Sequence, residues 1–204
     1  TMDEYLALPK DRQDALKDIG GFVGGTLKDG IRKAQNVLSR SLITLDLDNM
    51  AESDTDDVYR ALDLLGYKAL VYSTRKHKTA KPRLRIVFPL EVDCSREEYE
   101  PIARMLGSRL GIDLCDPTTF EASRLMYFPS ICKGADYVYK VFDGEEVSAE
   151  KVLGLYHDWK NIAEWPKCQS ETLLIRREIT KQGNPLEKSG LIGAFCKAYD
   201  IPSA

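Results

Sequence analysis

Leu42 to Asn49, Leu-Ile-Thr-Leu-Asp-Leu-Asp-Asn, constrains this chain more than any other stretch. It reads as a β-strand that puts Ile43, Leu45 and Leu47 on one face and Thr44, Asp46 and Asp48 on the other. Two acids side by side on a strand repel each other unless a cation lies between them. Two readings follow: a strand that ends in a solvated turn, or a pair of carboxylates built to hold positive charge. The stretches that follow decide between them.

Thr55 to Leu65 carries Val58, Ala61, Leu62 and Leu65 at helical spacing, with Ser53 or Asp54 as cap and Gly66 as stop. Tyr67 to Ser73 and Arg83 to Leu90 read as strands. Ser95 and Glu98 have the spacing of a capping box ahead of a helix whose apolar face is Ile102, Met105, Leu106 and Leu110. Arg124 to Pro129 reads as a fourth strand. The order β-α-β-β-α-β predicts an α+β fold, an RRM-like or ferredoxin-like core with the first and third strands central and the fourth flanking the first. One end of its open sheet face would then gather Asp46 and Asp48, the segment from Ser73 to Lys81, and Asp113 to Thr119.

The middle segment, Ser73 to Arg85, holds six Lys or Arg residues and one His without an acid. A solvated hairpin is the ordinary reading of such a run. Arg83 and Arg85 share a strand face, however, and arginine forks suit the oxygens of a triphosphate, as does a His donor. In the third segment Asp116 adds a carboxylate, with Asp113 as its competitor and a turn before Pro117 as the ordinary alternative. Three acids facing a cationic cluster is what two-metal nucleotidyl transfer requires.

Residues 1–40 read as an N-terminal arm, with a helix from Asp3 to Leu16 and then four glycines within six residues. That glycine density suits either a linker or close backbone approach to a phosphate, with Lys28, Arg32, Lys33 and Arg40 nearby. Residues 41–145 are the expected catalytic core. Residues 146–204 are a C-terminal extension, with a strand at Tyr137–Phe142 leading into a helix from Ser148 to Trp159. Pro166 to Asn184 reads as linker, and the apolar helical pattern before Ala204 predicts that the natural protein continues.

Five scattered cysteines without a Cys-x-x-Cys pair, and only two histidines, speak against a zinc site and for free buried thiols. A rolling-circle nickase needs clustered histidines, and His77 and His157 lie far apart. Net charge is −3, so any nucleic-acid contact is local. The sequence has no membrane-length apolar run or signal-peptide pattern, which places the expected protein in the cytoplasm.

In order and spacing, Asp46-Leu-Asp48, Tyr72-Ser-Thr-Arg-Lys-His, Lys81-Pro-Arg-Leu-Arg, Asp116-Pro-Thr-Thr-Phe and Arg124-Leu-Met-Tyr-Phe-Pro-Ser resemble the motifs of the archaeo-eukaryotic primase superfamily. More closely, they resemble the N-terminal primase-polymerase domain of phage and prophage replication proteins of the virulence-associated-E-like kind. Leu191 to Tyr199 is similar to the segment that leads into the helicase part of such proteins.

The resemblance implies a DNA primase-polymerase that works on a single-stranded template with nucleoside triphosphates and two Mg2+ or Mn2+ ions, beside a fused or associated helicase. It implies Asp46, Asp48 and Asp116 as catalytic metal ligands, with Asp113 the alternative. Ser73, Arg75, His77, Arg83 and Arg85 would bind the nucleotide. Lys28, Arg32, Lys76, Lys78, Lys81 and Arg124 would contact template or phosphate. The family commonly has a small residue where Arg75 stands. A different class of function, a catalytically silent RRM-like module that binds nucleic acid for a replication initiator, keeps the basic hairpin and tolerates loss of the acids.

Overall fold

The computed structural model describes residues 1–173. Two compact units divide the chain, Thr1–Pro166 and one that begins at Lys167. In the described start of the second, the Cys168 amide donates to the Glu171 carboxylate at 2.9 Å. The expected linker beyond Leu173 and the pattern at Leu191–Tyr199 lie outside the described residues.

The first unit contains α1 (Met2–Ala7), α2 (Lys10–Lys17), β1 (Gly21–Phe22), β2 (Gly25–Leu27), β3 (Val37–Leu47), α3 (Asp54–Leu65), β4 (Ala69–Ser73), β5 (Leu84–Cys94), α4 (Arg96–Leu110), β6 (Met126–Tyr127), β7 (Tyr139–Phe142) and α5 (Ala149–Leu153). The fold is α+β, as expected. A five-stranded antiparallel sheet has the order β2-β3-β5-β4-β7, and β1 pairs with β6 in a second, two-stranded sheet. Ile43, Leu45, Leu47, Val71, Ile86 and Phe88 from the central strands are buried with Val58, Leu62, Ile102 and Leu106 of α3 and α4.

Local chemistry explains the helix ends. Ser95 and Glu98 form the expected capping box on α4. Gly66 closes α3 at φ 66°. The single helix expected from Asp3 to Leu16 is instead split at Pro9, because the ring removes a donor and holds Leu8 extended, at φ −70° and ψ 150°. The helix expected from Ser148 to Trp159 is only α5, and Ser148 makes no side-chain cap bond.

The fourth core strand differs from expectation. Only Met126–Tyr127 of Arg124–Pro129 is a strand, and its partner is β1. The edge of β3 is shared by two other segments. At one end β2 pairs Gly25 with Arg40, Thr26 with Ser39 and Leu27 with Val37. At the other, Leu47 bridges Cys115, the Asp116 amide donates to the Asp46 carbonyl at 2.8 Å, and the Asn49 amide donates to the Leu114 carbonyl at 3.1 Å.

The glycine-rich stretch is therefore woven into both sheets. A Cβ on Gly25 would run into the Ser39 carbonyl oxygen, and one on Gly21 would stand 2.6 Å from that of Met126. These glycines serve strand-to-strand approach. Arg40 is fully buried: it donates to the carbonyls of Gly24, Ala122 and Leu42, and its guanidinium lies 4.1 Å from the Tyr99 ring centroid. It is a tie between segments and not a surface charge. The described cysteines, Cys94, Cys115, Cys132 and Cys168, are all buried, and Cys94 and Cys132 are free thiols, as expected. Among the described residues no helix is long and apolar enough to cross a membrane.

Candidate active site

The antiparallel register of β3 on β5 sets Asp46 directly opposite Arg85, and β4 on β5 sets Tyr72 opposite Arg85. Tyr72, Arg85 and Asp46 thus form one rung across three strands. Side chains alternate, so the next pair on the same face is Asp48 with Arg83. Both rungs are ion-paired: Arg85 Nη2 lies 3.1 Å from Asp46 Oδ2, and Arg83 Nη1 lies 2.7 Å from Asp48 Oδ2. The first pair is deeply buried, with 6% of each side chain exposed, and the second about a quarter exposed.

The third acid arrives through main-chain bonds. Because Asp116 donates its amide to the Asp46 carbonyl, its carboxylate sits close enough to Asp48 to disfavour ionisation there. Its oxygens accept from the Thr118 amide and hydroxyl and from Arg124 Nη2, the last at 3.0 Å. Thr119 braces the junction: its hydroxyl donates to the Thr44 carbonyl and accepts from the Asp46 amide. Asp113 is exposed in a 3-10 turn, and its carbonyl accepts from the Asn49 side chain. The structure therefore brings Asp116, and not Asp113, beside the first two acids.

Each of the three acids faces one arginine. Among the described residues no three His, Cys, Asp or Glu side chains are gathered into a ready-made metal site. The site nevertheless carries unspent acceptor capacity, because Asp46 Oδ1 is buried without a hydrogen-bond partner. Burial and then Asp46 push the Asp48 carboxyl above the ordinary carboxylate range, against the pull of Arg83. For Arg85 burial works against the charge, but Asp46 and Tyr72 outweigh it and its pKa is raised.

In front of the rungs lies a cavity of about 200 Å³. Asp46, Asp48, Arg83 and Arg85 line it from the sheet, and Thr74, Arg75 and Lys76 from the hairpin. The rest of its wall is α2, through Lys10, Asp14 and Lys17. The open sheet face expected from the sequence is accordingly covered. Asp46, Tyr72 and Arg85 are buried beneath α2 and the Tyr127 carbonyl, which accepts from both Arg85 and Tyr72, and Thr44 is buried against Tyr99 and Arg40.

Other predicted residues lie apart from this cavity. Ser73 is fully buried and outside the cavity lining, and its hydroxyl accepts from the Val138 amide, so it fastens β4 to the loop before β7. His77 is buried and lies outside the cavity lining, with Nδ1 accepting from the Arg83 amide at 3.1 Å. Burial lowers its pKa, so the neutral ring locks the hairpin. Lys28, Arg32, Lys78 and Lys81 are exposed and do not line the cavity, and Arg124 is held by Asp116. Larger cavities, of about 560 and 740 Å³, are lined by none of the predicted catalytic, nucleotide-binding or template-binding residues.

Sequence reasoning missed Lys10, Asp14 and Lys17. Their positions i, i+4 and i+7 on one helix form a charged stripe, which was the available signal.

No curated protein is similar enough to the chain to match it. Among solved structures, the AEP domain of the cyanophage S-2L primase-polymerase is similar with a TM-score of 0.48 and 14% identity, over 72% of this chain and 76% of that one. The family model of the VapE N-terminal domain matches residues 1–168. The chain therefore belongs to the VapE N-terminal domain family, the kind of replication-protein domain that its motifs resemble.

Proposed function

We propose that this chain is a template-dependent nucleotidyltransferase, a primase-polymerase that joins nucleotides on single-stranded DNA and releases pyrophosphate. The observation that carries this reading is the end of the sheet itself: two cross-strand Asp–Arg rungs with Asp116 bonded alongside and a small cationic cavity in front. An apolar rung would stabilise a fold as well or better, so buried opposed charges here point to chemistry.

Asp46, Asp48 and Asp116 are the residues that would hold Mg2+ or Mn2+, and the orphaned Oδ1 of Asp46 fits a cation. Bound there, the ions would supply Lewis-acid activation of the primer hydroxyl and neutralise the departing pyrophosphate. Arg83 and Arg85 hold the acids while the site waits, and their forks suit triphosphate oxygens equally well. His77 fixes the Arg83 backbone, one residue ahead of β5, by accepting its amide. Tyr72 and the Tyr127 carbonyl fix the Arg85 side chain.

One observation favours a second reading. All three acids already have arginine partners, which suits a silent module that binds nucleic acid through its basic hairpin. Primer extension on a single-stranded template with Mg2+ or Mn2+ separates the two, comparing wild type with Asp46→Ala/Asp48→Ala. Product from the wild type alone is the expected result. Template binding without product from either protein would overturn the polymerase reading in favour of the silent module.

A further inference from the structure

The cations around the cavity fall into two groups. Arg83 and Arg85 are committed to Asp48 and Asp46. Lys17 is not: among the described residues its Nζ has no hydrogen-bonding or ion-pair partner, and it rests 4.9 Å from the centroid of the Tyr127 ring. It is half-buried, and burial first and Arg85 second lower its pKa while Asp46 and Asp48 oppose them. A half-buried ammonium that faces both acids and arginines, and bonds to neither, keeps its donors available to an anion in the cavity.

The segment that delivers Lys17 is anchored. Tyr5 of α1 is buried and donates its hydroxyl to the Gln13 carbonyl of α2. The same ring carries the Arg75 guanidinium 4.8 Å from its centroid and Lys76 Nζ at 5.9 Å. The two short helices and the basic hairpin are thus clamped through one aromatic ring. Arg75 Nε is itself buried without a partner, so the wall opposite the acids holds a second unspent donor.

We propose that Lys17, with Arg75, binds the polyphosphate of the incoming nucleotide, which makes the N-terminal helices part of the active site. This rests on reading the cavity as a nucleotide site. Arg83 and Arg85 keep the acids in place, and α2 closes the phosphate subsite from the opposite side. The oxygens of a phosphate chain would give Lys17 Nζ and Arg75 Nε the acceptors they lack. Tyr5 is the positioning residue that sets the distance between them.

The test is calorimetric binding of inorganic tripolyphosphate, without metal, to the whole chain. It compares wild type, Lys17→Gln, Lys17→Arg and, as a control far from the cavity, Lys151→Gln. A lost charge-assisted contact predicts roughly tenfold weaker binding for Lys17→Gln. Lys17→Arg should recover most of it, Lys151→Gln should match wild type, and all melting temperatures should agree. The matching kinetic readout is a higher KM for nucleotide with kcat little changed.

Wild-type affinity in Lys17→Gln would overturn the proposal, and so would a wild type that does not bind tripolyphosphate. A loss shared by Lys17→Arg with a lowered melting temperature would also overturn it, because that pattern belongs to a structural lysine. The two readings fail separately. Lys17-dependent tripolyphosphate binding without primer extension removes the polymerase and keeps the anion site, whereas primer extension with no effect of Lys17→Gln on KM does the reverse.

Discussion

Removing Asp46 and Arg85 singly and together tests the rung on which the site is built. The charges are 3.1 Å apart at the contact and nearly inaccessible to water. With an effective dielectric of about 20, their attraction before desolvation is about 5 kcal/mol. Breaking such a pair from one side costs about 3–5 kcal/mol, since the remaining charge stays buried. The two sides are unequal. Arg85 without Asp46 keeps the Tyr127 carbonyl as acceptor. Asp46 without Arg85 keeps no hydrogen-bond partner on Oδ2, already has none on Oδ1, and lies beside Asp48. Arg85→Ala should therefore cost more than Asp46→Ala, and the double variant should cost less than the sum by about 2–3 kcal/mol. Urea unfolding of the four proteins measures this, provided that the m-values agree. Coupling below about 0.5 kcal/mol, or a larger loss from Asp46→Ala, would refute the reasoning.

Asp48 makes a pH-dependent prediction. Its pKa is raised in the folded protein, so the unfolded chain ionises first and the stability it contributes at low pH is lost as pH rises through the folded value. Asp48→Asn removes that loss: relative to wild type it should gain stability at neutral pH and lose the gain in acid, as unfolding titrations from acid to neutral pH would show. Gly25→Ala should destabilise the fold by about 2 kcal/mol or more, because the new Cβ meets backbone atoms of Ser39 and Arg40 that cannot rotate away. A Gly25→Ala variant that melts with wild type would mean that β2 does not need its close pairing with β3.

Much of this was legible in the sequence because it depended on period and spacing. Alternation set the acids on one face of β3, and the capping box fixed the start of α4. What was not legible depended on contacts between distant segments. Asp-x-Asp facing Arg-x-Arg becomes two ion pairs only once the antiparallel register is known. The edge of β3 went to residues near Asp116, since two main-chain bonds and a bridge outcompeted the short apolar run at Arg124–Pro129. Ser73 looked like a ligand contact because a strand-end hydroxyl has the same pattern whether it faces a substrate or a neighbouring amide. Arg40 belonged by pattern to a surface charge cluster, and only the converging carbonyls explain its burial.

The way Asp116 is mounted bears on how the domain can change over generations. The bonds that deliver it join main-chain groups, namely Asp46 with Asp116, Asn49 with Leu114, and the Leu47–Cys115 bridge. Main-chain bonds do not read side-chain identity, so Ile112 to Leu114 can drift in sequence as long as the buried filler at Cys115 is replaced in kind, while Gly111, at φ 102°, has to remain glycine. Length is another matter. One residue inserted between the bridge at Cys115 and the acid next to it would turn the carboxylate to the opposite side. Among distant relatives, spacing here should outlast wording.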